Sequence, residues 1–311
     1  MKGIEIAEKY YEEFGKKMIQ DAGFPEDRIA VGLVGEGSEC FGFDDDISKD
    51  HDFEPGFCLF ITEKDEREFG FKLERAYAKL PKEFMGLNRQ LLSPADGNRH
   101  GVIIIEDFYK RFLGATNPPD SDERWLYTPS SSLATACNGK VFRDDLGEFS
   151  KVREVLLKGY PEDIRRKKIA AHVIMMAQAG QYNYGRLIDR KETGAAQLAI
   201  FEFVKHAIST IYLLNNKFEP FYKWAYKGMR NLPLLSDLEM SLAGITELGN
   251  SKSQASDKAE IIEDIARMII SEIKNQNMST ATCNNLETHA YSVVDSIKSS
   301  KLRNMHVMEG I

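Results

Sequence analysis

Every stretch of this chain that can form a buried β-strand lies before residue 145, and beyond about residue 150 only helical periodicity remains. Ile29-Ala30-Val31-Gly32-Leu33-Val34, Phe57-Cys58-Leu59-Phe60-Ile61 and Gly101-Val102-Ile103-Ile104-Ile105 are short apolar runs that read as buried strands. The β-branched content of the third predicts burial on both faces. Lys140-Val141-Phe142, ended by Arg143-Asp144-Asp145, predicts a last short strand. Residues 4–21 and 64–79 carry apolar residues at helical spacing. So do Ala196, Ile200, Phe203, Ala207, Ile211 and Leu214, and then Ile261, Ile265, Met268 or Ile269, and Ile273. Strands gathered at one end and helices at the other predict an α+β fold. The expected layout is a mixed sheet with flanking helices over residues 1–148 and a helical bundle over 149–311. Gly249 to Ser256, polar and rich in serine, reads as a mobile linker.

At 311 residues, 42% hydrophobic and 29% charged, the chain can build two ordinary cores and a solvated surface. Its net charge of −7, with no basic stripe, disfavours a polynucleotide substrate, because such binding comes from neutralising phosphates. Arg165-Arg166-Lys167-Lys168 reads as a solvated helix face. Cysteines at 40, 58, 137 and 283 form no C-x-x-C pair and have no histidine at ligand spacing, so neither a disulfide framework nor a zinc site is expected. The start of the chain lacks the apolar core of a signal peptide. Purely apolar runs reach about five residues against the ~20 that span a bilayer. A cytoplasmic protein with no membrane partner is the expectation.

Residues 31–61 form one chemical unit: strand, glycine-rich turn, acidic loop, Asp-x-Asp, strand. Gly37 lets the backbone approach a bulky anion, and the amides and hydroxyl around Ser38 can point at phosphate oxygens. Asp50 and Asp52 are two residues apart, so on an extended strand both carboxylates project from one face. Two carboxylates beside a phosphate cradle suit Mg²⁺ or Mn²⁺ bound to a triphosphate. Asp44, Asp45 and Asp46 read as a solvated turn, and His51 as a structural residue. His172, His206, His289 and His306 read as structural residues of helices. No G-x-x-x-x-G-K-[ST] loop, G-x-S-x-G elbow or H-E-x-x-H motif occurs.

The unit resembles the signature of the DNA polymerase β-like nucleotidyltransferase superfamily: a hydrophobic strand, Gly-Ser, roughly ten residues, then Asp-x-Asp. Here eleven residues (39–49) separate Ser38 from Asp50. The longer run Gly-Ser-Glu-Cys-Phe-Gly-Phe-Asp-Asp-Asp-Ile-Ser-Lys-Asp-His-Asp-Phe is similar to the DUF4037 group of that superfamily. So are Arg124-Trp125-Leu126, Gly139-Lys140-Val141-Phe142-Arg143-Asp144 and Pro220-Phe221-Tyr222-Lys223-Trp224.

The resemblance implies a nucleotidyltransferase-type sheet and transfer of a nucleoside monophosphate from NTP to an acceptor, with pyrophosphate leaving. Gly37 and Ser38 match the phosphate-binding pair, and Asp50 and Asp52 the metal-binding carboxylates. Many relatives use a third carboxylate on a neighbouring strand. Glu106, at the end of the 101–105 strand, is the local candidate, although the middle of that strand (Ile103, Ile104) is apolar. Lys223 beside Trp224 is either a surface lysine lying on an aromatic cluster or a cation reaching the triphosphate, and Arg186 stands in the same position. The acidic chain suits a small-molecule acceptor. A protein or tRNA acceptor, or a nucleotide-binding regulator that has lost the chemistry, are the alternatives.

Overall fold

A computed structural model describes residues 1–46, 54–89 and 99–311. The fold is α+β. The chain divides into two compact units, the first formed by Met1–Pro119 with Thr128–Lys158, the second by Asp120–Tyr127 with Gly159–Ile311.

The first unit holds a four-stranded mixed sheet. Its strands are β1 (Ala30–Leu33), β2 (Cys58–Ile61), β5 (Gly101–Ile104) and β6 (Lys140–Asp144), in the order β5-β2-β1-β6. A two-residue hairpin, β3 (Glu83–Phe84) with β4 (Leu87–Asn88), stands apart from it. β1 runs antiparallel to both β2 and β6, while β2 and β5 are parallel. The two central strands, β1 and β2, are buried along their whole length. Alternation then assigns the faces. Val31, Leu59 and Ile61 join Tyr10, Tyr11, Met18, Leu73 and Tyr77 in a core under the helical segments 3–21 and 63–78. Phe60 points the other way, stacked on Phe149 at 4.0 Å and edge-on to Phe108 at 5.2 Å. Two of the buried tyrosines have their hydroxyls satisfied by backbone carbonyls. Tyr77 Oη donates to the Phe57 carbonyl at 3.0 Å, and Tyr109 Oη to that of Phe149 at 2.7 Å.

β5 departs from the expected double-sided burial. Val102, Ile103 and Ile104 are only half-buried, because β5 is an edge of the sheet.

The second unit is helical. Glu162–Met176 packs against Thr193–Leu214 and Leu286–Asp295, and Lys252–Asn275 lies alongside. Two expectations are corrected here. The segment 249–256 is not a loop throughout, because the helix begins at Lys252. The preceding turn is also pinned: Asn250 accepts from the buried Lys258 amine at 3.1 Å and from Tyr184 Oη at 3.1 Å. Nor is Arg165–Lys168 a solvated face. Lys167 and Lys168 are buried, their amines donating to the carbonyls of His306 (2.5 Å) and Gly310 (2.7 Å). Burial pushes the Lys168 amine down to about 8. Sequence periodicity shows neither effect, since the carbonyls that draw these amines inward come from distant parts of the chain, Leu126 among them.

His172 and His206 meet across two helices, their Nδ1 atoms 2.8 Å apart, and His206 Nε2 faces Glu202 at 3.3 Å. One Nδ1 must therefore be bare, so the pair cannot be doubly charged without separating. Burial first, then the Lys205 charge, holds His206 down to about 4. Burial, His206, Lys168 and Lys205 hold His172 well below its ordinary value. Unfolded histidines titrate near 6.5, so below that pH the unfolded chain binds more protons and stability falls, the loss continuing until about pH 4. Thermal melts from pH 7 to pH 5 are expected to fall more steeply for the native chain than for His172→Leu/His206→Leu. Equal slopes would remove the pair from the acid response. His306 lies in the turns beyond the helix Ser300–Arg303, not in a helix.

Candidate functional site

β1 ends at Leu33, and the chain turns through Gly35, Glu36, Gly37 and Ser38 into a single 3-10 turn, Glu39–Phe41, closed by Gly42. Gly35 (φ 121°) and Gly37 (φ 127°) hold backbone angles that L side chains rarely adopt. The turn is clamped from outside. Asn138 Oδ1 accepts from the Gly35 N–H at 2.8 Å, while Asn138 Nδ2 donates to the Gly35 carbonyl at 2.7 Å. Arg111 reaches from the helix Ile105–Leu113 to Glu36 at 2.7 Å, and Cys40 Sγ donates to the Glu36 carbonyl at 3.6 Å. Asn138 and Arg111 escaped sequence reasoning. Their only trace was the Asn138-Gly139 pair, a turn signal just before a strand.

Gly37 and Ser38 thus sit on a braced turn at the end of a central strand. Ser38 is half-buried, and its Oγ donates to Glu39 Oε2 at 3.4 Å. The Cys58 thiol, at the start of β2, is pushed up to about 12, chiefly by burial, and stays protonated at neutral pH.

The acidic loop divides. Asp44 is buried rather than solvated: its Oδ2 accepts from the Gly3 N–H at 3.0 Å and so caps the helix Gly3–Tyr10. Asp45 and Asp46 are exposed. Asp50, His51 and Asp52 lie outside the described residues. Among the described residues, no group of three or more His, Cys, Asp or Glu side chains could hold a metal ion. Glu106 is not on β5 but in the first turn of the next helix, where its Oε2 accepts from the Glu63 N–H at 3.1 Å.

Beside the turn opens a cleft of ≈ 280 Å³, whose lining includes Gly35, Glu36, Arg99, Ile103, Phe108 and Arg111. A larger groove of ≈ 640 Å³ elsewhere in the unit is rimmed by Lys17, Lys72, Arg75 and Lys79. Glu13 and Asp21 share that rim, so its charge is mixed.

In the second unit Lys223 is exposed, its amine 5.2 Å from the centre of the Trp224 ring, with Lys227 at 5.9 Å from the same ring. The Arg186 guanidinium lies 4.8 Å from the Tyr182 ring. Trp125 is buried against Tyr160 and Phe218. No described helix is long and apolar enough to cross a membrane.

The sheet and its braced turn define an α+β protein with a cleft beside a strand end, and comparison with known proteins agrees with its motifs. The family described as "Domain of unknown function (DUF4037)" matches residues 125–225. This is the group to which the motifs pointed, and the span includes Gly139–Asp144 and Pro220–Trp224. Among solved structures, a nucleotidyltransferase-like protein from Exiguobacterium sibiricum 255-15 is similar at 10% identity and a TM-score of 0.38. The similarity covers 92% of this chain and 90% of that chain. No curated protein matches.

Proposed function

We propose that this protein is a metal-dependent nucleotidyltransferase that moves a nucleoside monophosphate from an NTP to a small-molecule acceptor. One observation carries the reading. The Gly35–Ser38 turn is held rigid by Asn138 and Arg111 at the end of a central strand, and it precedes Asp50-x-Asp52 at the superfamily spacing. A braced turn can receive phosphate oxygens without reorganising, which is how positioned dipoles are most effective. Gly37 would admit the phosphate close to the backbone, and the Ser38 hydroxyl would donate to it. Asp50 and Asp52 would hold Mg²⁺ or Mn²⁺, which when bound neutralises triphosphate charge. Lys223 and Arg186 are the cations proposed for the triphosphate. The acceptor oxygen attacks the α-phosphorus, a new P–O bond forms, and the bond to the β-phosphate oxygen breaks to release pyrophosphate. The acceptor proton goes to a base outside the present assignment.

A second reading has its own support. The Glu106 carboxylate is engaged with the Glu63 amide, and β5 carries no acid, so nucleotide binding without transfer would suit a regulator.

The test is α-label transfer and pyrophosphate release from each of the four NTPs with Mg²⁺ or Mn²⁺. Small-molecule and macromolecular fractions of a cell extract serve as acceptors. Label on a small molecule, lost by at least a thousandfold in Asp50→Asn/Asp52→Asn, is the expected result. Label on protein or tRNA would move the acceptor class. Metal-dependent binding without transfer would favour the regulator, and no binding of any NTP would end both readings.

A further inference from the structure

The Gly37–Ser38 cradle already contains an anion of the chain's own. A Cβ added at Gly37 would lie 2.6 Å from Glu39 Cδ and 2.7 Å from Glu39 Oε2, so the carboxylate head fills the place where a side chain would be. The same carboxylate accepts from Ser38 Oγ at 3.4 Å, and Glu39 is only 8% exposed. Its charge adds to burial in pushing up the neighbouring Cys40 and Cys58 thiols. A carboxylate so nearly removed from water is normally found with close charged or donor partners. Here its contact among the described residues is the long one to Ser38.

We infer that the Glu39 carboxylate is a resident stand-in for a phosphate group, and that polyphosphate must displace it to bind. The inference rests on the proposed reading of Gly37 and Ser38 as the phosphate cradle. The turn backbone is tied to Asn138 by two hydrogen bonds at Gly35, whereas Glu39 needs only side-chain rotation to leave. Two anionic heads cannot share the Gly37 face, since like charges a few ångströms apart repel strongly in a part-buried site. Glu39 therefore lowers the affinity of the cradle for phosphate groups by the cost of its own displacement. It is an affinity-setting residue of the site, not a catalytic one.

The experiment titrates Mg²⁺-tripolyphosphate, a probe independent of base preference, into the full-length chain by calorimetry. Native protein is compared with Glu39→Gln and Glu39→Ala, and melting curves are recorded for all three. Both variants are expected to bind on the order of tenfold more tightly, the gain of releasing one charge-assisted contact. Inorganic monophosphate should gain by a similar factor, because the cost of displacing Glu39 belongs to the protein and not to the ligand. Unchanged or weaker tripolyphosphate binding in variants that melt like the native chain would overturn the inference while leaving the phosphate cradle standing. Weaker binding with a lowered melting temperature would assign Glu39 a structural role and overturn it as well. Absence of binding in all three proteins would refute the cradle, and the inference with it.

Discussion

Gly139→Ala is expected to lower the melting temperature of this protein by about 5–8 °C, the largest effect of any single methyl group added near the site. Gly139 has φ 64°, a left-handed angle that already costs an L-residue about 1–2 kcal/mol. The added Cβ would also overlap the Leu33 carbonyl oxygen and come within 2.9 Å of Leu33 C and 3.1 Å of Val34 Cα. These are backbone atoms of a buried central strand, and no rotamer can relieve the clash. The β1–β6 ladder, which pairs Leu33 with Lys140, must open at that end. Together the two effects amount to about 3–5 kcal/mol, in the range of the severe named mechanisms. Gly114→Ala is the matched control: its φ is 70°, yet nothing lies within 4 Å of the added Cβ. It should lose only the conformational part. Equal losses in the two variants would show that the close approach to β1 is not what demands glycine at 139.

Asn138→Ala, one residue away, is expected to lose about 2–4 kcal/mol of stability and more than tenfold in tripolyphosphate affinity. The side chain pairs with both the N–H and the carbonyl of Gly35, a buried residue, and its loss leaves both groups without their protein partner. Asn138→Asp separates the halves of the clamp. It keeps an acceptor for the Gly35 N–H but turns a second oxygen toward the Gly35 carbonyl, so it should do no better than alanine. Melting curves with calorimetry on the same samples check both effects. An alanine variant that melts and binds like the native chain would mean the turn holds its own shape.

These two residues mark where sequence reasoning ran out. Asn-Gly before a strand announces a turn, but that this turn reaches back 103 residues to Gly35 depends on β6 pairing with β1. Arg111 is equally silent in sequence, one cation among the chain's 41 lysines and arginines. Glu106 was expected at the end of a strand, yet the strand stops at Ile104 and the carboxylate, in the next helix, meets the Glu63 amide. Asp44 was placed in a solvated turn because nothing local reveals that the first helix brings its bare N–H groups to it. Gly37 and Ser38, by contrast, were legible, since a glycine-rich turn directly after an apolar strand is a local pattern with a local physical cause.

Sequence by itself determined the α+β class, the confinement of the sheet strands to the first half, the helical run beyond residue 150, and the turn at Gly35–Ser38. Each of these follows from periodicity or backbone freedom, properties that act over a few residues. Tertiary structure alone decided which strand lies at the edge and which lysines are buried. It also decided that His172 and His206 touch, that Asn138 and Arg111 brace the turn, and that Glu39 folds onto Gly37. The physical reason is common to these cases. A polar or charged side chain goes where a partner compensates its desolvation, and that partner is supplied by the packed fold rather than by the local pattern.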